Sequence, residues 1–138
     1  MDMKMMSGMM TMPEMGEMTI DADSMQACLE ACAACEQACV MCAEMDAGEG
    51  MARSRAMCMN CADMAHGMMR MMMRPMGMEP SSMTAMLHAM STMARACAEE
   101  CMAHADMSEA MRMCAQACTD CADECDAMAA RLAPMGSA

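Results

Sequence analysis

Five cysteines, Cys28, Cys32, Cys35, Cys39 and Cys42, follow one another at spacings of 4, 3, 4 and 3 residues. The same beat returns toward the other end of the chain in Met107, Met111, Cys114, Cys118, Cys121, Cys125 and Met128. A 4-3 alternation averages 3.5 residues, so it draws one stripe along an α-helix and would scatter over both faces of a strand. Met25 and Met45 extend the first stripe in both directions. Two long helices, each with sulfur along its buried seam, are therefore the first expectation.

Nothing else in the chain can build a conventional interior. Among 138 residues there are 33 Met and 13 Cys but no Phe, Tyr or Trp, and the aliphatics beyond Ala are only Ile20, Leu29, Val40, Leu87 and Leu132. The core must be Met, Cys and Ala. The length suits a single domain of roughly 100–150 residues.

Stops divide the chain into four helical segments, at about 23–46, 51–73, 82–104 and 107–132. Asp21 or Asp23 can cap the first, and Gly48-Glu49-Gly50 ends it. Arg74-Pro75 ends the second, and Ser81 or Ser82, after Pro80, can cap the third. Asp106 and Glu109 make a capping-box-like pair before the fourth, and Pro134 follows its end. Short connections make neighbouring helices antiparallel, so the fold class expected is all-α, an up-down-up-down four-helix bundle over residues 21–133. Residues 1–20 read as a disordered Met-rich tail broken by Gly8, Pro13 and Gly16, and 134–138 as a C-terminal tail.

The middle segments carry sulfur on their inward rows as well: Cys58, Cys61, Ala65, Met68 and Met72 in the second, and Met83, Met86, Met90, Met93, Cys97, Cys101 and His104 in the third. Antiparallel pairing gathers Cys39, Cys42, Cys58, Cys61, Cys97, Cys101, Cys114 and Cys118 at one end. At the other, Cys28, Cys32, Cys121 and Cys125 meet the Met-rich stretches of the middle helices. His66 and His88 fall off the inward rows and read as surface residues.

A formal charge of −12 is opposite in sign to the basic footprint of a nucleic-acid binder and disfavours anionic membrane surfaces. No segment approaches the roughly 18 unbroken apolar residues of a spanning helix. Residues 1–18 hold no continuous apolar stretch of the kind a secretory leader needs, so the expectation is a cytoplasmic protein if the chain is complete, or an exported one whose leader has been removed.

Filling helical seams with thiols calls for a chemical reason, since Leu or Ala would pack without oxidation hazard. Disulfides within a helix fail on geometry, because residues three or four apart have Cβ atoms about 5–6 Å apart and a disulfide needs about 3.5–4.5 Å. Thirteen is odd, so a monomer cannot pair every thiol. Four CxxC pairs occur, Cys32/Cys35, Cys39/Cys42, Cys58/Cys61 and Cys118/Cys121. Haem attachment would need His after the second Cys, where Glu36, Ala43, Ala62 and Ala122 stand. No βαβ pattern places a CxxC for thioredoxin-like chemistry. Repeated Cys₄ zinc sites would each bury a net charge of −2.

A soft monovalent cation fits better. Cu(I) prefers thiolate and thioether sulfur, and its low coordination number lets Cys28/Cys32, Cys35/Cys39, Cys97/Cys101, Cys114/Cys118 or Cys121/Cys125 converge on one ion. When thiolates bridge, the ratio approaches one ion per Cys and each ion replaces one proton, so the core stays near neutral. Multiple Cu(I) ions on all thirteen cysteines, with Met25, Met45, Met68, Met72, Met83, Met86, Met90, Met93, His104, Met107, Met111 and Met128 as secondary candidates, is the expected cargo. No catalytic constellation is present. The alternative is a disulfide-stapled structural bundle with a Met-rich surface for partner helices.

The C-x₃-C-x₂-C-x₃-C pattern at Cys28 to Cys39 and again at Cys114 to Cys125, with Cys97-Ala-Glu-Glu-Cys101, resembles the bacterial copper storage proteins over about residues 24–130. By cysteine pattern the exported branch is the closer. That resemblance implies a Cys-lined four-helix bundle holding many Cu(I) ions, a homotetramer, and a mouth where His and Met admit copper, a role that falls on His104. It implies storage rather than catalysis, with a copper donor or acceptor protein as partner. The Met-rich second and third helices and the Met-rich tail depart from the family pattern and suggest Met-assisted loading or sites of lower affinity.

Overall fold

A computed structural model describes residues 2–15, 20–46 and 48–134. Its elements are α1 (Met3–Met10), a 3₁₀ turn (Pro13–Met15), α2 (Ala22–Met45), α3 (Ala52–Met72), a second 3₁₀ turn (Pro75–Gly77), α4 (Pro80–Ala103) and α5 (Glu109–Leu132). The four long helices pack around a square in which α2 lies against α3 and α5, and α4 against α3 and α5. At 1.5 Å per residue the 24-residue helices are roughly 36 Å long.

Three of the four long helices begin where a side chain accepts from the backbone donors of the first turn, whereas α3 starts at Met51 without such a cap. Asp21 accepts from the Ser24 N–H at 2.8 Å and starts α2. At α4 the cap is Glu79 rather than the expected Ser81 or Ser82: its carboxylate accepts from both of their N–H groups, with Pro80 in the first helical position where no donor is needed. At α5 the cap is Ser108, which accepts from the Ala110 N–H, so the expected Asp106 and Glu109 pair does not form the start. The turn between α2 and α3 is closed by Gly50 at φ +82°, a left-handed conformation that glycine adopts without strain.

The seams are sulfur, as the spacing predicts. All thirteen cysteines are buried, with Met25, Met68, Met72, Met83, Met90, Met111 and Met128 among them and Leu29, Leu87 and Leu132 filling between. Each fully buried Met or Leu removes enough apolar surface from water to contribute about 1.5–3 kcal/mol. Val40, one of the few aliphatics, lies on the surface. Among the described residues no helix is long and apolar enough to cross a membrane.

The tail differs from expectation. Residues 3–10 form α1, capped by the Asp2 carboxylate accepting from the Met5 N–H at 2.8 Å. Met10 is only 4% exposed, Ile20 is buried just before α2, and Met6 packs partly against the core. Low complexity suggested disorder, but Met6 and Met10, one turn apart, give this short helix an apolar face, and α2 receives it. Residues 1, 16–19 and 135–138, parts of the expected tails, lie outside the described residues.

Candidate metal centre

The antiparallel arrangement sets the register in which sulfurs meet. Across α2 and α5, Cys32 faces Cys121 at 3.7 Å, Cys39 faces Cys118 at 3.5 Å and Cys114 at 3.7 Å, and Cys42 meets the Met111 thioether at 3.8 Å. Cys35 reaches both Cys61 on α3, at 3.6 Å, and Cys118 on α5, at 3.8 Å. Cys58 on α3 meets Cys97 at 3.9 Å and Cys101 at 3.8 Å on α4. All thirteen are free thiols.

These contacts resolve into compact groups. Cys35, Cys39, Cys61 and Cys118 form one set of four, and Cys42, Cys58, Cys101 and Cys114 a second, with the sulfurs of each set within 4.8 Å of one another. Cys39, Cys58 and Cys97 form a third set that shares a residue with each of the first two. Cys28, Cys32 and Cys125 make a further trio. Metal–sulfur bonds of about 2.3 Å place ligand sulfurs roughly 3.8 Å apart in a tetrahedral site and about 4.6 Å apart in a linear one. The spacing in the bundle already falls in that span, so an ion can enter with little movement of the helices.

Electrostatics divides the thiols into two kinds. Hydrogen bonding, with Cys101 foremost, holds Cys58 down to about 4 and Cys97 to about 5, and contact with Cys118 holds Cys61 to about 5. Cys39, Cys101 and Cys118 are pushed well above the ordinary thiol range, first by their bonds with Cys114, and Cys121 by its bond with Cys125. Burial pushes Cys42 up, reinforced by Cys114, Cys58 and the carboxylate of Asp46. A network of this kind presents ready thiolates beside thiols that an arriving cation can deprotonate.

Asp46 is the residue that sequence reading missed. It caps the C-terminal end of α2, is buried, and sits 4.0 Å by either carboxylate oxygen from Cys42 Sγ. Burial, then the neighbouring Cys58 and Cys114, raises its pKa. The Arg55 guanidinium donates to its main-chain carbonyl at 2.5 Å, pinning the turn. Met51, buried at the start of α3, was also not anticipated. Both lie in the short α2–α3 connection, where helical periodicity carries no signal.

His104 is half-buried at the C-terminal end of α4, with Nε2 3.8 Å from the Glu100 carboxylate, which also accepts from the Ser54 hydroxyl of α3. His66 is on the surface, 3.1 Å from Glu36, and His88 is exposed. Met86 and Met93 are partly buried against the core. The inward row does not extend to Met45 or Met107, which are 62% and 65% exposed. Met45 is the last residue of α2, and Met107 precedes the Ser108 cap, so neither is followed by a turn that would hold it on the seam.

A family model described as copper storage protein matches residues 17–130. Among solved structures, the copper storage protein Ccsp of Streptomyces lividans loaded with 10 copper equivalents is 31% identical with a TM-score of 0.82, over 91% of this chain and 98% of that one. A cytosolic copper storage protein of the same organism, captured during copper loading with five coppers, is 33% identical with a TM-score of 0.75, over 78% and 93% of the two chains. A histidine-to-alanine mutant of Ccsp is 33% identical with a TM-score of 0.78, over 82% and 98%. No curated protein sequence matches the chain.

Proposed function

The chain belongs to the copper storage protein family, and from that premise we propose that it sequesters many Cu(I) ions on the thiols of its bundle interior. One observation carries the reading: thirteen buried free thiols, twelve of them grouped in sets at metal-bridging distance and the thirteenth, Cys121, 3.7 Å from Cys32. Two helices would need only a few of these to be stapled together, so a disulfide-stabilised bundle leaves most of them without a role.

The ligands proposed are Cys28, Cys32, Cys35, Cys39, Cys42, Cys58, Cys61, Cys97, Cys101, Cys114, Cys118, Cys121 and Cys125. Thiolates that bridge two ions keep the interior near neutral, because each Cu(I) takes the place of one proton. Toward the other end the trio of Cys28, Cys32 and Cys125 shares the core with buried Met25, Met68, Met72, Met83, Met90 and Met128. Neutral thioethers there complete the coordination of fewer ions, held less tightly. Met86 and Met93 stand behind them. At the thiol-dense end Met111, beside Cys42, and half-buried His104 receive incoming copper, and exposed Met107 and Met45 flank that end on its outside.

The role is storage, without a catalytic step. A homotetramer and a copper donor or acceptor protein are the partners that the resemblance implies. Anaerobic titration with Cu(I) against a chromophoric chelator tests the central claim: saturation near one ion per thiol is expected, and saturation at one or two ions per chain would overturn it.

A further inference from the structure

The bundle core leaves α1 without an assigned task, and its side chains sort in an unusual way. Met6 and Met10, one turn apart, face the core. Met5 and Met9, four residues apart on a second face of α1, and Met12, one residue past the Thr11 C-cap, are 59%, 49% and 50% exposed. A surface helix ordinarily places polar residues on its outer face, and an apolar stripe left in water there has no packing reason. Here both faces are thioether.

The outer stripe is held in place. The Asp2 carboxylate accepts from the Met5 N–H at one end. At the other, the Thr11 hydroxyl donates to the Ser7 and Gly8 carbonyls, and the Met12 N–H donates to the Met9 carbonyl at 3.2 Å, which continues the turn by one step and keeps Met12 beyond Met9. Residues three or four apart on a helix have Cβ atoms about 5–6 Å apart, and the three rotatable bonds of Met close that gap to the span of sulfurs sharing one ion. Thioethers select soft cations and leave Mg²⁺ and Ca²⁺ to oxygen ligands. The formal charge of −12 raises the local concentration of any cation.

We propose that Met5, Met9 and Met12 form an external thioether site for one soft monovalent cation of the Cu(I) class, outside the thiol core. The site is neutral, so it binds more weakly than thiolate and exchanges readily, as an ion held in transit must. Inward of it, Met6 and Met10 place a second pair of thioethers between α1 and the interior.

The test uses the full chain with ¹³C-methyl methionine and silver nitrate in chloride-free buffer under argon, Ag(I) standing in for Cu(I) without its air sensitivity. Silver added first fills the thiols. Equivalents beyond that point should move the methyl signals of Met5, Met9 and Met12 together, with one shared dissociation constant. Met9→Leu, which keeps size and helix propensity, should weaken the shifts of Met5 and Met12 at least about tenfold, as loss of a chelate partner requires. Signals that stay still, or that titrate separately and ignore Met9→Leu, would overturn the site. The number of equivalents taken up before those signals move reports on the core, so a small number would count against storage while leaving the outer site to its own result.

Discussion

The sulfurs of Cys39 and Cys118 lie 3.5 Å apart across the α2–α5 seam, and Cys39 also belongs to the set it makes with Cys58 and Cys97. Cys39 is therefore a hub through which two groups of ligands join, whereas Cys28 sits in a single trio. Cys39→Ser is expected to lower Cu(I) capacity by about two ions and Cys28→Ser by about one, because a bridging thiolate serves two ions. Equal losses in parallel anaerobic titrations would argue against bridging at Cys39.

Loading should also stabilise the fold. The metal-free interior relies on Met, Ala and unpaired thiols, and a ligand that binds only the folded state adds about 2.7 kcal/mol per independent site at one hundred times its dissociation constant. Thermal unfolding with and without Cu(I) is expected to show a rise in Tm that grows with equivalents added. An unchanged Tm would contradict ion binding inside the bundle.

Proton release should change as filling proceeds. Cys35, Cys58, Cys61, Cys97, Cys114 and Cys125 are held below the ordinary thiol range by bonds with neighbouring thiols, so the first ions to meet them displace fewer protons. Cys39, Cys101, Cys118 and Cys121 are pushed up and keep their protons until metal removes them. An indicator in weak buffer should thus record rising release per ion. The sign also fixes the acid behaviour: as pH falls through about 5, protons return to Cys61 and Cys97 and affinity drops. Constant release from first ion to last would refute this ionisation order.

Gly67 offers a control that touches no sulfur. It lies inside α3, and a Cβ placed on it meets nothing within 4 Å. Gly67→Ala should raise the stability of the metal-free protein by about 0.8–1 kcal/mol through helix propensity alone, with capacity unchanged. Chemical denaturation gives the first number and titration the second.

How much of this was legible in the sequence follows from where periodicity operates. Between Met25 and Cys42, and between Met111 and Met128, a helix of 3.6 residues per turn converts spacing directly into position, and every residue on those rows is buried. Past the last turn that conversion fails, which is why Met45 and Met107 were placed inward and Asp46 was not placed at all. Helix starts were similarly ambiguous where several side chains could accept the same donors: Glu79, one residue before Pro80, reaches the N–H groups of both serines that were themselves candidates. The tail misled for a different reason. Its composition looks like a disordered segment, and only the burial of Met10 and Ile20 against a partner surface distinguishes it.

Because every long helix donates to the interior from its body rather than from a loop, a seam position sits within regular helix whichever sulfur side chain it carries. Met68, Met72, Met83 and Met90 occupy the same kind of fully enclosed place on α3 and α4 that Cys58, Cys61, Cys97 and Cys101 occupy further along. Exchanging one sulfur side chain for the other leaves helix, cap and turn untouched. Cargo number in such a scaffold is written one seam residue at a time, in the choice between a thiol that gives up a proton and a thioether that does not.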